Sequence, residues 1–301
     1  MDAKQGTRKD RRLAPGAGMG RVHLRVADLE RSLGFYTEAL GFETYRREEG
    51  RAALGAGGKE LLILQEHPGA GRRPKGTTGL YHYAVLLPDR AGLSRSLRRL
   101  SENGWRLWGA SDHLVSEALY LDDPDGNGIE LYRDRPRSEW RWDGDTIQMD
   151  TIPLDLDGLL AETEGDQTES GLPSGTSIGH VHLHVGDIER AQRFYQGVLG
   201  FDVTTLWQGA ALFVSAGGYH HHLGLNTWAG ADAPQAPPDT AGLERFEILV
   251  PDASELDRLT RRLEESGTHS ERQGEEILTS DPWRNRVSVM VGTPAGSHAG
   301  T

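Results

Sequence analysis

No cysteine occurs among the 301 residues, which excludes a disulfide framework and thiolate chemistry and makes a reducing cytoplasm the expected setting. Long apolar runs are missing too. Nothing approaches the roughly 18 consecutive apolar residues of a membrane span, so we expect no membrane partner. The opening stretch M-D-A-K-Q-G-T-R-K-D-R-R-L has basic residues with no apolar stretch behind them, and no secretory signal is expected. Positive charge is in deficit: 33 Lys and Arg face 45 Asp and Glu, a formal charge of −12. That argues against nucleic acid as a partner, because binding phosphates needs a basic surface. The local basic run Arg95, Arg98 and Arg99 falls on an amphipathic helical pattern and reads as a solvated face. What is present, 36% hydrophobic and 26% charged residues, is the make-up of a soluble globular protein long enough for two domains.

The chain is a duplication. G-R-V-H-L-R-V-A-D-L-E-R-S-L-G-F-Y-T-E-A-L-G-F, from Gly20 to Phe42, recurs as G-H-V-H-L-H-V-G-D-I-E-R-A-Q-R-F-Y-Q-G-V-L-G-F from Gly179 to Phe201, with 13 of 23 positions identical. Matches resume at Leu86-Leu87-Pro88-Asp89 against Leu249-Val250-Pro251-Asp252, and at Asp123-Pro124 against Asp281-Pro282. We therefore expect a mobile tail over 1–18, a domain over 19–135, a linker over 136–177, a homologous domain over 178–292 and a tail over 293–301. Within each half the pattern is strand, helix, three strands, twice over. Val22–Val26 is a strand, Asp28 caps a helix closed by Gly41, and a Gly/Pro-rich loop leads to a strand at Tyr81–Leu87. The fold class is α+β: four β-α-β-β-β modules paired into two homologous domains, each a curved mixed sheet forming a cup.

The stretch from Ser111 to Tyr132 carries the chemistry. Two apolar runs flank D-D-P-D-G-N-G, so the segment reads as a β-hairpin. Strand alternation puts Glu130 and Tyr132 on one face and Ile129 and Leu131 on the other. Taken alone, Glu130 fits an edge strand facing water, and a lone histidine fits a satisfied core position. His23 and His82 change that, because each stands in the first strand of a module. Together with Glu130 they give two imidazoles and a carboxylate, the set that binds non-haem Fe(II) for oxygen chemistry with coordination positions left open.

H-x5-L-Y-x2-D-P-x-G-x3-E, His113 through Glu130, resembles the extradiol ring-cleavage dioxygenase motif of the vicinal-oxygen-chelate (glyoxalase/bleomycin resistance/extradiol dioxygenase) superfamily. Ser111 departs from the usual pattern. The resemblance covers nearly the whole chain and looks like a two-domain catechol 2,3-dioxygenase. It implies that His23, His82 and Glu130 hold Fe(II), with Mn(II) as the alternative. It also implies His113 as the acid/base above the metal and Tyr120 as a hydrogen-bond donor to the bound substrate oxygen. The implied partners are O2 and a small aromatic diol of catechol type, with hydroquinone type also open. The implied product is a ring-opened semialdehyde, and a homo-oligomer is implied that no feature of the sequence demands. Against the family, the ligand set here falls in the N-terminal half rather than the C-terminal one.

Other readings stay open. His113 can instead be a turn residue bonded to Asp112. In the second half Arg245 and Ser288 stand where His82 and Glu130 do, so that copy lacks the same ligands. Its His182 can share a face with His220 or His222 in a rival second metal site, or these histidines can be the remains of a degenerate cup. Trp105, Trp108, Trp140, Trp142 and Trp207 can line an aromatic pocket or pack in the core. Two further functions are alternatives. One is a glyoxalase-like metal-dependent lyase or isomerase, which needs a fourth ligand near Glu60. The other is a metal-free protein that sequesters a flat drug.

Overall fold

An aspartate stands at one place in four segments: Asp28, Asp89, Asp187 and Asp252 each follow a strand by two or three residues. In the computed structural model, which describes residues 11–165 and 171–294, each carboxylate accepts the backbone N–H three residues on, at 2.6–3.0 Å. Each thereby caps a helix. The first module runs β1 (Gly18–Val26), α1 (Leu29–Gly34), β2 (Glu43–Glu48), β3 (Arg51–Ala56) and β4 (Lys59–Glu66). The second runs β5 (Gly79–Leu87), α2 (Arg90–Glu102), β6 (Gly109–Asp112), β7 (Ser116–Asp122) and β8 (Gly128–Asp134). A connector holds β9 (Trp142–Asp143), β10 (Thr146–Ile147), β11 (Ile152–Pro153) and α3 (Leu156–Ala161). The third module is β12 (Ser177–His184), α4 (Ile188–Gln192), β13 (Asp202–Trp207), β14 (Ala211–Ser215) and β15 (Leu223–Asn226). The fourth is β16 (Gly242–Val250), α5 (Ala253–Glu265), β17 (Ser270–Gln273), β18 (Glu276–Ser280) and β19 (Arg286–Val291). The fold is α+β, with the β-α-β-β-β order in all four modules.

The modules pair across the halves. The eight-stranded sheet has the order β17-β18-β19-β16-β1-β4-β3-β2, joining modules one and four. The nine-stranded sheet, β11-β6-β7-β8-β5-β12-β15-β14-β13, joins modules two and three. This corrects the expectation that each half closes its own cup. The strands β1, β5, β12 and β16 each open a module and hold equivalent places in it, so the repeat does not encode which of their edges meet. The antiparallel seams are β1 with β16 and β5 with β12. Residues of even parity such as Val22, Leu24 and Val26 are fully buried under the helices, leaving the odd ones to the cup.

The connector, expected as a linker, is built into the fold. β11 extends the nine-stranded sheet beside β6, and the Ile147 carbonyl accepts from Thr205 Oγ1 in β13 at the opposite edge. The connector thus ties together the two edges of that sheet. Leu159 is fully buried, and Ser94 of α2 bonds Thr163 at 2.7 Å. The basic run on α2 is not a solvated face. Arg98 donates to the Leu160 carbonyl, and Arg99 to those of Leu40 and Gly171. Of the expected N-terminal tail, residues 11–17 pack on the third module. Leu13 and Ala17 are buried, and Leu13 N–H donates to the Gly200 carbonyl. Residues 1–10 and 295–301, expected as mobile tails, lie outside the described residues. Among the described residues, no helix is long and apolar enough to cross a membrane.

Candidate active site

Ala84 in β5 is the geometric centre. It is in register with Glu130 of β8 on one side and with His180 of β12 on the other, and His82 lies one pleat along the same face. Strand parity therefore sends His82, Glu130 and His180 into one space. The Nε2 atoms of His82 and His180 each stand 3.0 Å from the same carboxylate oxygen, Glu130 Oε2. All three side chains are buried, none more than 5% exposed. Among the described residues, this is the group of His and carboxylate side chains whose donor atoms converge closely enough to hold one metal ion.

The donor set fits a metal. His180 donates to Glu130 and His82 Nε2 stands 3.0 Å from the same oxygen, but the Nδ1 atoms of the two buried imidazoles have no hydrogen-bond partner. Unpartnered buried nitrogens are costly unless something else satisfies them. Burial pushes the His82 imidazole below its ordinary pKa, keeping a lone pair free. Burial works to raise Glu130, but the imidazoles of His180 and His82 outweigh it and hold the carboxyl well below its usual range. Neutral imidazole and ionised carboxylate are the forms that ligate.

The structure brings His82 and Glu130 together and completes the group with His180, not His23. His23 lies in the other sheet, where its Nε2–H donates to Glu247 Oε1 at 2.8 Å. There the counterparts of the three converging side chains are Arg21, Arg245 and Ser288, and Arg21 pairs with both Glu247 and Glu60. An ion-pair cluster fills the place a metal would take. His180 was missed because the repeat equates His23 with His182, which sits directly opposite His82, while the converging imidazole lies two residues earlier. The G-H-V-H-L-H alternation does put His180 on the cup face, and that was the available signal.

The rival site does not assemble. His182 Nε2 accepts from Asn226, and His222 Nδ1 accepts the Ala216 N–H. His220 Nε2 donates to Asp134 at 2.9 Å, leaving its Nδ1 to accept from His221 Nδ1 at 2.8 Å. The three point at separate neighbours. Of this cluster, His182 and His221 line the cavity that holds the converging group, the latter with its ring 4.1 Å from that of His180. Burial holds His221 well below its ordinary pKa. Arg133 and Arg135 pair with Glu117 and Asp112.

A cavity of about 250 Å³ opens above the triad. His113 and Tyr120 stand in its wall. Tyr120 is the register partner of Glu130, and its hydroxyl donates to His113 Nε2 at 2.7 Å. His113 Nδ1 donates to the Asp150 carbonyl at 2.8 Å, so the connector, not Asp112, orients the ring. Burial and the charge of Glu130 hold the Tyr120 phenol well above its ordinary pKa, as a neutral donor. Of the tryptophans expected at a pocket, Trp108 and Trp207 line the cavity, joined by Trp228. Trp140 is buried, Trp105 meets Phe35 edge to face, and Trp142 is exposed.

The chain is similar to several known proteins. It is 48% identical over 268 residues to a catechol-2,3-dioxygenase of Bacillus subtilis (strain 168), covering 88% of this chain and 93% of that one. It is 26% identical over 188 residues to a lactoylglutathione lyase of Arabidopsis thaliana, across 60% of this chain and 53% of the other. Its fold resembles that of glyoxalase I from Zea mays, with a TM-score of 0.56 at 20% identity over 91% of this chain and 92% of that one. A family model described as the Glyoxalase/Bleomycin resistance protein/Dioxygenase superfamily matches residues 18–131 and 177–297, and the chain belongs to that superfamily.

Proposed function

We propose that the protein is an extradiol ring-cleaving dioxygenase that opens a catechol with O2 in the cytoplasm, with Fe(II), or alternatively Mn(II), held by His82, Glu130 and His180. The observation that carries this reading is the convergence of those three side chains at the floor of an aromatic cavity beside the His113–Tyr120 pair. The 48% identical catechol-2,3-dioxygenase supports it. The reaction balances without an external reductant. The carbon–carbon bond next to the two hydroxyls breaks, and both atoms of O2 enter the semialdehyde product.

Iron bound there supplies acidification of the diol and a common site for diol and O2. The residues of the chain do the rest. His113 Nδ1–H bonds to Asp150, which leaves Nε2 as the ring's acceptor; in this structure it accepts the Tyr120 hydroxyl. When a diol binds, that hydroxyl, held neutral, turns to donate to the substrate oxygen, and His113 Nε2 takes the proton of the diol in its place. His221, fixed by His220 and Asp134, presents its remaining nitrogen on the other side as a second proton acceptor or donor. The aromatic wall excludes water. A lyase or isomerase with four protein ligands would need another donor, and the converging group has three among the described residues.

Protein reconstituted anaerobically with Fe(II) should consume one O2 per catechol and yield a yellow product. Absence of O2 uptake and product with every catechol tried, from protein shown to hold iron, would remove this assignment.

A further inference from the structure

The lining of the cavity is ordered by depth. At the floor are the buried His82, Glu130 and His180; at the mouth stand Trp108 and Trp228, 48% and 53% exposed. Tyr81 lies between the two tryptophans, its ring centroid 6.2 Å from Trp108 and 5.5 Å from Trp228. Both plates are held in place. Trp108 stacks on Tyr120 at 5.0 Å and its indole N–H donates to Asp122, while the Trp228 backbone N–H donates to Asn226. Large apolar side chains this exposed cost solvation unless something flat covers them.

Charge is the second feature. Among the described residues, no Lys or Arg lines the cavity, and Glu130 is its one carboxylate. Asp122 adds another negative charge behind Trp108. The nearby cations stand outside the lining: Arg73 is committed to the carbonyl oxygens of Thr77 and Leu80, Arg72 donates to the Pro124 carbonyl, and the charges of Arg72 and Lys75 act on Asp122. At about 250 Å³ the space is smaller than the roughly 300 Å³ at which pockets begin to enclose drug-sized ligands, so it takes a single ring.

Resting on the proposed function, we infer that this site selects uncharged catechols bearing an apolar substituent, and that Trp108 and Trp228 are specificity-determining residues. With the diol at the floor, the far edge of the ring points to the mouth. A substituent there lies between the two indoles. A carboxylate in the same place meets two apolar faces and no cation in the lining, with Arg72 and Lys75 already set against Asp122, and it leaves water without a partner.

The test pairs binding with turnover. Iron-loaded protein is titrated anaerobically with catechol, 4-tert-butylcatechol and 3,4-dihydroxybenzoate, following tryptophan fluorescence, and kcat/KM is then measured with O2. We expect 3,4-dihydroxybenzoate to bind on the order of a hundredfold more weakly than 4-tert-butylcatechol, with kcat/KM in the same order. Trp228→Ala should weaken 4-tert-butylcatechol about tenfold more than catechol. Trp228→Arg, which supplies the missing cation on a half-exposed position, should tighten 3,4-dihydroxybenzoate about tenfold. Equal affinity for the charged and apolar diols, or equal losses for both catechols in Trp228→Ala, would overturn the inference. Selective binding without turnover of any diol would support it and instead refute the proposed reaction.

Discussion

Tyr120 shows how one residue serves two tasks. Its ring is a wall of the cavity and its hydroxyl holds His113 Nε2 at 2.7 Å. Tyr120→Phe keeps the wall and removes the donor. We expect kcat for catechol cleavage to fall about 10- to 100-fold with a smaller change in KM, measured by O2 uptake at saturating substrate. Glu247 is the carboxylate at the centre of the other cup's ion-pair cluster. Burial would raise its pKa, but hydrogen bonds from His23 and Arg21 reverse that and bring it to about 2, against 4.5 for the free group. A carboxyl whose folded pKa is depressed stabilises fully above the unfolded value and loses that contribution as pH falls toward the folded one. Stability should therefore drop between about pH 4.5 and pH 2, by on the order of 3 kcal/mol from this group. Denaturant titrations of Glu247→Gln across that range should show a shallower acid dependence than the parent.

At the scale of elements, register does the positioning, and glycine permits it. Gly128 in β8 stands against His82 in β5, and a Cβ there would fall 2.1 Å from the Tyr81 carbonyl oxygen. Backbone cannot yield as a side-chain tip does. Gly128→Ala should cost about 1–3 kcal/mol in stability and, by parting the strands that carry His82 and Glu130, weaken metal binding. Equilibrium unfolding and metal titration on the same variant check both. The element order and the Glu130–Tyr120 pairing were legible in the sequence because period-2 alternation and the D-D-P-D-G-N-G turn set register locally. The role of the connector was not legible. Its strands are two residues long, and their pairing partners lie far away in the chain.

For the whole molecule, the exchange of modules decides the chemistry. Repeats reveal that four units exist and that His23, His82 and His182 occupy equivalent strands, but not which of the homologous edges meet. Pairing β5 with β12 rather than β1 replaces His23 by His180 as the third converging group. The two cups consequently diverge: one gathers two imidazoles and a carboxylate, the other Arg21, His23 and Glu247. Both halves of the chain are then required for a single site, which explains why a ligand set sought within one half was incomplete.

The most direct measurement is the metal content of His180→Ala and His23→Ala after anaerobic loading with Fe(II) and removal of excess ion. The account predicts that His180→Ala loses nearly all bound iron while His23→Ala holds about one ion per chain. Iron retained by His180→Ala and lost by His23→Ala would contradict it.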